Sequence, residues 1–176
     1  MQKIIVIGSG GAGKSTFAIQ LGKILAIPLT HLDALFWQPG WVETPEDIWE
    51  EKLKELMQQE RWLLDGNYSG SLDLRMQAAD TIIFLDFPRL LCSYRLLKRQ
   101  LMYAGKSRPD MNEGCPEKLG WAMITWVWTY PEKRRPLVLK KLALYAPGRR
   151  IVHLRNPKAA RLFLEAQRQA SMIQKT

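Results

Sequence analysis

The segment from Lys3 to Thr16 limits what this chain can fold into more than any other part of the sequence. An apolar, β-branched run, KIIVI, continues directly into GSGGAGKS, which matches the pattern G-x-x-x-x-G-K-[ST] in full. This predicts a buried parallel strand, a glycine-rich loop and a helix. The N–H groups of such a loop surround phosphate oxygens, and the helix adds its positive N-terminal end. The segment therefore indicates a site for a nucleoside triphosphate, rather than a glycine-rich turn with a solvated lysine.

The residues expected to bind ATP are those of the loop and the start of the helix: Gly8, Gly10, Gly11, Ala12, Gly13, Lys14, Ser15 and Thr16. Lys14 is expected to reach the β- and γ-phosphates and to take part in catalysis. The hydroxyl of Ser15 is expected to ligate Mg²⁺. The motif leaves open which molecule receives the phosphate.

Composition narrows the class of protein around this motif. The chain has 176 residues, of which 47% are hydrophobic, as expected for one globular domain covering residues 1–176. No apolar run is long enough to span a membrane and no secretory signal is recognised, and the two cysteines fit a reducing, cytoplasmic environment. The net charge of +9 is compatible with DNA or membrane contact, with several phosphate-binding arginines, or with a solvated basic surface.

Short apolar runs alternate with helical patterns along the whole chain. Strands are predicted at 3–7, 28–32, 61–65, 81–86 and 150–154, and helices at 14–26, 45–60, 88–103, 119–130, 136–145 and from 157 onward. This alternation predicts an α/β fold with a five-stranded parallel sheet, helices on both faces and right-handed crossovers.

Carboxylates follow the ends of three predicted strands, where parallel sheets place ligand chemistry. Asp33 is a candidate to accept a proton from an acceptor hydroxyl or to hold Mg²⁺ through water, with Trp37 and Trp41 nearby as an acceptor wall. The alternative is that Asp33 caps a helix and the tryptophans are core. Asp65 and Asp86 compete for the metal role. Asp65 is favoured because the glycine after it lets a ligand approach.

Basic residues are concentrated after the fourth predicted strand. Arg95 and Arg99 are four residues apart, so they share one helical face and are candidates to clamp a transferring phosphate. Residues 104–118 lack periodicity and predict a lid, in which Arg108 is a further phosphate-binding candidate. The sequence leaves open the roles of Arg134 and Arg135.

Several motifs together resemble the adenylate-kinase-like P-loop kinases: the phosphate loop, the Asp33 segment, Leu64-Asp65-Gly66, and the Leu85-Asp86-x-Pro88 run followed by two arginines. Within that group, HLDALFWQPGW, WLLDGNY, RPDMNEGC and the tryptophan-rich helix resemble the topology modulation proteins. The resemblance implies a three-layer, nucleoside-monophosphate-kinase-like P-loop fold with strand order 2-3-1-4-5 and a mobile lid. It also implies an acceptor-binding segment at about 33–60, and an adenine site near Asn156 and Pro157.

This chain departs from adenylate kinases at two points of that pattern. Asp65 and Gly66 are followed by Asn-Tyr-Ser, so the phosphate-binding arginine of the Asp-Gly-Phe-Pro-Arg motif is missing and Arg75 is a possible substitute. The acceptor segment has Asp33 and tryptophans where an AMP site has threonine and arginine. In this respect the segment is similar to hydroxyl-phosphorylating kinases, such as shikimate or uridine kinases.

Together, these features predict an enzyme that transfers the γ-phosphate of ATP, with Mg²⁺, to a nucleotide or small-molecule acceptor. Lys14, Asp33, Arg95 and Arg99 are the predicted catalytic residues, and Ser15 and Asp65 the predicted metal ligands. Two other hypotheses stay open: a nucleotide-binding regulator that contacts DNA, for which no DNA-binding motif is found, and an ATPase with water as acceptor. The acceptor, the base or positioning role of Asp33, and the oligomeric state are not determined by the sequence.

Overall fold

A parallel sheet forms the centre of the protein in a computed structural model that describes residues 1–108, 110–117 and 120–173. The strands are β1 (Lys3–Gly8), β2 (Leu29–His31), β3 (Trp37–Gln38), β4 (Val42–Glu43), β5 (Trp62–Asp65), β6 (Thr81–Leu85) and β7 (Arg150–Leu154). Five of them form the parallel sheet in the order β2-β5-β1-β6-β7, and β3 and β4 form a separate antiparallel hairpin. Counted among the five sheet strands alone, this is the predicted order 2-3-1-4-5.

Helices cover both faces of this sheet. They are α1 (Lys14–Leu25), α2 (Leu32–Phe36), α3 (Glu46–Gln58), α4 (Leu72–Ala78), α5 (Arg89–Tyr103), α6 (Trp121–Trp128), α7 (Tyr130–Lys133), α8 (Arg135–Tyr145) and α9 (Pro157–Ile173). Helices α1, α5 and α9 pack on one face, and α3, α4 and α8 on the other, which gives three layers. None of the helices in the described ranges combines the length and the apolar character that crossing a membrane requires.

Burial on both faces explains the apolar run at the start of the chain. Ile4 and Val6 belong to the core beneath α1, α5 and α9, whereas Ile5 and Ile7 belong to the core beneath α3, α4 and α8. Each of the four side chains is at most 1% exposed. Burying such a side chain contributes about 1.5–3 kcal/mol relative to leaving it exposed. The central strand is therefore continuously apolar, and it delivers the glycine-rich loop to the carboxyl edge of the sheet.

The structure contains elements that the sequence pattern did not predict. Helix α2 and the β3–β4 hairpin lie in the segment expected to bind the acceptor. The two strands of the hairpin have two residues each, which is too short to show the alternation of apolar and polar residues that predicts a strand. Trp41 in this hairpin takes a left-handed conformation, with φ 65°, directly after Gly40 with φ 81°. Helix α4 was also missed, because Gly70 and Ser71 indicate a turn. The tryptophan-rich helix ends at Trp128 rather than residue 130, and its Trp121 is 82% exposed.

Candidate active site

The glycine-rich loop is held in shape by close contact with helix α5. Gly11 and Gly13 have φ 74° and 87°, which side-chain-bearing residues rarely adopt. A Cβ atom on Gly11 would lie 2.2 Å from the backbone oxygen of Cys92 in α5. The ammonium group of Lys14 donates to the backbone oxygen of Ser9 at 3.1 Å. The loop therefore turns through left-handed glycines against α5, with its lysine folded back along it, a form that suits a phosphate-binding loop.

Asn67 fixes the point at which strand β1 passes into this loop. Its side-chain amide donates to the Gly8 oxygen at 2.7 Å and accepts from the Gly8 N–H at 3.0 Å. The preceding residue, Gly66, donates its N–H to the Val6 oxygen at 3.2 Å. Because β5 ends at Asp65, the amide of Asn67 takes the place of the next peptide group of that strand. The side chain thus extends the sheet ladder by one step, to the first glycine of the loop.

Asp65 ends strand β5 with its side chain only 4% exposed. One carboxylate oxygen, Oδ2, lies 3.0 Å from Nδ1 of His31. Burial opposes charge on His31, but the hydrogen bond with Asp65 and nearby carboxylates raise the pKa of His31 above its usual value. The other oxygen, Oδ1, is buried without a hydrogen-bond partner among the described residues. Asp65 also lines the same cavity as Ser15.

This arrangement fits a magnesium ion shared with phosphates. An orphaned carboxylate oxygen and a hydroxyl are ligands that Mg²⁺ takes, and Mg²⁺ in nucleotide sites uses one or two protein groups besides phosphate and water. No group of three or more His, Cys, Asp or Glu side chains suited to a metal occurs in residues 1–108, 110–117 and 120–173. The fitting donors are therefore Ser15 and Asp65, not a closed protein cage.

Asp86, the competing carboxylate, is already engaged by protein groups. The Nε atom of Arg135 donates to both of its oxygens at 2.9 Å, and Nε2 of His153 lies 2.8 Å from Oδ2. Burial acts to raise the pKa of Asp86, but these hydrogen bonds and charges hold it below its usual value. Asp86 does not line the cavity that contains Asp65. Arg135 thus has a structural partner, while Arg134 lies over the ring of Trp126 at 5.0 Å.

Arg75 does not replace the missing phosphate-binding arginine. Its side chain is fully buried, and burial lowers the pKa of Arg75 to about 10. Its guanidinium donates to the backbone oxygens of Gly66 at 3.0 Å, of Tyr68 at 2.9 Å, and of Asn67. The expectation from the sequence is corrected: Arg75 shapes the turn after β5, which carries Asn67 to the phosphate loop.

Asp33 lies in the first turn of α2, with its side chain 47% exposed. The hydroxyl of Tyr68 donates to Oδ1 of Asp33 at 2.9 Å. Burial and the charge of Asp33 raise the pKa of Tyr68, so the phenol stays protonated and stays a donor. The ring of Tyr68 packs at centroid distances of 4.8 and 5.0 Å from Phe36 and Trp49. Asp33 is therefore oriented through one oxygen by a side chain fixed in an aromatic cluster.

The two arginines of helix α5 serve different parts of the site. Arg95 donates to the backbone oxygen of Ala12, in the phosphate loop, at 3.2 Å. Arg99, one turn later, pairs with Glu117 through Nε at 2.9 Å and Nη2 at 2.7 Å. Both line the same cavity, but only Arg95 lies against the phosphate loop. Arg99 points to the loop between α5 and α6, the predicted lid.

The α5–α6 loop, described over 104–108 and 110–117, is attached to the β3–β4 region. The amide of Asn112 donates to the backbone oxygens of Ala34 and Trp37, both at 2.7 Å. The indole N–H of Trp41 donates to the Pro116 oxygen at 3.1 Å. Cys115 is buried, and its thiol donates to the Gln38 oxygen at 3.1 Å. This loop and the hairpin therefore form one wall of the site.

These parts line one open cavity of about 1010 Å³. Drug-sized ligands occupy pockets of roughly 300–1,000 Å³, so this cavity has room for two small molecules. The predicted site residues that line it are Gly10, Gly11, Ala12, Gly13, Lys14, Ser15, Thr16, Asp33, Asp65, Arg95 and Arg99. Gly8, which ends strand β1, does not line it. Asn156 caps α9 by accepting the Ala159 N–H at 2.9 Å, while Pro157, Ala160 and Arg161 beside it line the cavity.

Sequence reasoning missed several residues that shape this site: Asn67, Tyr68, Asp110 and Glu117. Asp110 and Glu117 both pair with Arg108, whose Nη1 lies 3.1 Å from Asp110 and whose Nε lies 2.7 Å from Glu117. The sequence signal for Asp110 and Glu117 is the mixture of acidic and basic residues in the predicted lid. Lys106, the other basic residue at 104–108, does not line the cavity.

Solved structures share this architecture. A shikimate kinase from Acinetobacter baumannii in complex with shikimate superimposes with a TM-score of 0.61 at 17% identity, covering 99% of this chain and 95% of that chain. A shikimate kinase from Bacteroides thetaiotaomicron gives a TM-score of 0.54 at 18% identity, covering 95% and 96%. A putative kinase from Chloroflexus aurantiacus J-10-fl gives 0.51 at 16% identity, covering 96% and 98%.

At such identities the similarity establishes the fold and not the reaction. The chain has the three-layer α/β P-loop fold, with a five-stranded parallel sheet, that these kinases have over nearly their whole length. At the level of sequence, no protein-family model and no curated protein matches the chain. Its closer resemblance to topology modulation proteins is not tested by these comparisons and stays a prediction.

Proposed function

We propose that this protein is a phosphotransferase that moves the γ-phosphate of ATP, in the presence of Mg²⁺, to a hydroxyl group of a small molecule. One observation carries the proposal: a single cavity extends from Lys14 and Ser15 of the phosphate loop to Asp33 and Trp37 of the α2–β3 segment. A donor and an acceptor bound at its two ends would meet inside one cavity. The fold shared with shikimate kinases supports this interpretation.

The donor end supplies positive charge and N–H groups for the phosphates. The loop lies at the N-terminus of α1, and within the described part of the chain the hydrogen bonds of the Lys14 and Arg95 side chains go to backbone oxygens. These cations can move onto phosphate oxygens without breaking an ion pair. Pro157 and Arg161 of helix α9 also line the cavity, and we expect them to contact the nucleoside. Phosphoryl transfer depends on such positioning and charge neutralisation.

Ser15 and Asp65 are the residues that would hold Mg²⁺, since a hydroxyl and an orphaned carboxylate oxygen fit it. When bound, this ion would neutralise charge on the β- and γ-phosphates. His31 keeps the other oxygen of Asp65 engaged and thereby fixes the rotation of the carboxylate.

The acceptor end supplies a base. Asp33 lines the cavity, with Tyr68 donating to its Oδ1 and with Oδ2 4.0 Å from Nη2 of Arg108. In the proposed reaction the acceptor oxygen bonds to the γ-phosphorus, the bond from that phosphorus to the β–γ bridging oxygen breaks, and ADP leaves. The hydroxyl proton passes to the carboxylate of Asp33. The product is a phosphate ester.

Transfer should depend on Lys14 and not on a lysine elsewhere on the same helix. Lys14→Ala is expected to lower γ-phosphate transfer from ATP by about 100-fold or more, because it removes a donor aimed at the transferring phosphate. Lys23→Ala, which removes an exposed charge outside this cavity, is the matched control and should retain the wild-type rate. Equal transfer by Lys14→Ala and wild type would refute the assignment.

The hypothesis that the protein is a regulator that contacts DNA can be tested separately. The resemblance to topology modulation proteins and the net charge of +9 allow DNA contact, which no motif supports. We expect no binding of duplex DNA at moderate salt. Tight binding with a steep negative dependence on salt would favour the regulator hypothesis instead.

A further inference from the structure

The guanidinium groups at the acceptor end of the cavity are neutralised by the protein itself. Arg108 is 9% exposed and pairs with Glu117 at 2.7 Å and with Asp110 at 3.1 Å. A third carboxylate, Asp33, lies 4.0 Å from its Nη2. Arg99 shares Glu117, with its Nη2 at 2.7 Å. Both guanidinium groups are thus already paired with carboxylates of the protein, and an anionic ligand would have to compete with Glu117 or Asp110 for them.

The balance of charge at this end is negative. Three carboxylates, those of Asp33, Asp110 and Glu117, face two guanidinium groups. Glu117 and Asp110 are 5% and 14% exposed, whereas Asp33 is 47% exposed and is the charge that an incoming ligand meets first. A carboxylate or phosphate on the acceptor would approach Asp33 without gaining a cation. It would have to break a buried ion pair to obtain one, which is costly.

The donor end has the opposite character. In the part of the chain that the structure describes, Lys14 and Arg95 bond to backbone oxygens and to no carboxylate, and Arg161 adds a third cation to the lining. The cavity is thus divided into a cationic end that suits a polyphosphate and an anionic end that does not. This division indicates that the two substrates differ in charge, because electrostatic complementarity gives specificity.

The walls of the acceptor end are aromatic. Trp37 and Trp41 line it with ring centroids 5.4 Å apart at an angle of 67°, and Tyr68 and Met111 add further apolar surface. Trp41 is fixed by its hydrogen bond to Pro116. Rigid rings with one polar edge suit a ligand that has a flat or ring-shaped apolar face and hydroxyl groups, as sugars and nucleosides do.

We infer that the acceptor is an uncharged, hydroxyl-bearing ring compound of the nucleoside or sugar class, and that the pairing of Arg99 and Arg108 with Glu117 and Asp110 excludes acceptors that carry a carboxylate or phosphate. This inference rests on the proposed function, and it narrows the substrate class of the same site. It separates this chain from a kinase whose acceptor is a nucleoside monophosphate or a carboxylic acid. Asp33 then acts as a base and not only as a positioning group.

Matched pairs of compounds test this inference. Nucleosides would be compared with their 5′-monophosphates, and sugars with the corresponding sugar acids, by calorimetry with the full chain and a non-hydrolysable ATP analogue. The uncharged member of at least one pair should bind about tenfold or more tightly than its anion, because a like charge would be placed beside Asp33. Tighter binding of the anions, or binding of no uncharged member, would overturn the inference.

A charge change at Asp110 supplies a second, independent measurement. Asp110→Asn leaves Arg108 with one carboxylate fewer and should improve the affinity for the anionic member of a pair by about tenfold, with little change for the neutral member. Asp73→Asn, which removes the same charge from a pair with Lys141 outside this cavity, should change neither. Equal effects of the two substitutions would contradict the assignment.

These outcomes are distinguishable from failure of the proposed function. If neutral compounds bind preferentially but receive no phosphate from ATP, the charge selectivity stands and the phosphotransferase assignment fails. If phosphate is transferred to anions in preference to their neutral counterparts, the phosphotransferase assignment stands and the inferred acceptor class is wrong.

Discussion

The side chain of Asn67 offers the sharpest test of how the phosphate loop is held. It makes two hydrogen bonds to Gly8, at 2.7 and 3.0 Å, in place of the peptide group that β5 no longer supplies. Asn67→Ala removes both hydrogen bonds, so the N–H and C=O of the buried Gly8 lose their Asn67 partner. Each such loss costs about 1 kcal/mol, so the free energy of unfolding should fall by about 2 kcal/mol. For a chain of this size, the melting temperature should fall by about 4–8 °C.

Asn67→Asp separates the donor role of this side chain from its acceptor role. The carboxylate can still accept the Gly8 N–H, but it places an oxygen where the amide donated to the Gly8 oxygen at 2.7 Å. At neutral pH, Asn67→Asp should therefore be less stable than Asn67→Ala. The difference should shrink as the pH falls toward about 4, because a carboxylate that faces the Gly8 oxygen takes up a proton above the usual pKa of aspartate.

Thermal unfolding across pH, together with calorimetric titration of ATP, would measure both effects. ATP affinity should fall in parallel with stability, because the same bonds set the first glycine of the loop. If Asn67→Asp were as stable as wild type at neutral pH, the ladder-extending role of Asn67 would be refuted.

Three further predictions concern the loop, the metal end and the α5–α6 loop. Gly11→Ala should abolish ATP binding or folding, since its Cβ would lie 2.2 Å from the Cys92 oxygen; an unchanged ATP affinity would contradict the contact. His31→Gln should lower the melting temperature most at low pH. The folded pKa of His31 is raised, so its contribution is complete below the usual value of 6.5 and is lost as the pH rises through the folded pKa; a difference that grows with pH would contradict this. Asn112→Ala removes two bonds of 2.7 Å and should speed hydrogen exchange over 110–117 by about tenfold, while exchange in the sheet stays unchanged.

The layout of the fold could be predicted because its signals are local. The run from Ile4 to Ile7 is apolar at every position, as expected for a strand that is buried on both faces. The glycine pattern after it predicts a phosphate-binding loop directly. The strand order came from the resemblance, and the structure has that order. The short hairpin at Trp37–Gln38 and Val42–Glu43 gave no signal, because two-residue strands have no period.

The site was predictable only in part, since its decisive contacts join distant parts of the chain. The choice between Asp65 and Asp86 depends on Arg135, which is 49 residues from Asp86. Nothing local to Arg99 indicates that Glu117 will neutralise it. An arginine pattern in the sequence gives the position of a charge but not its partner, so the charge of the acceptor end could be inferred only from the structure.

The fate of the γ-phosphate tests the central claim most directly. The wild-type protein would be incubated with Mg²⁺ and ATP labelled in that phosphate, with and without a nucleoside or sugar that binds it. Label is expected in a phosphate ester of the added compound, in amounts equal to the ADP formed. Label that appears only as inorganic phosphate, whatever compound is added, would show that water is the acceptor and would contradict the assignment as a phosphotransferase.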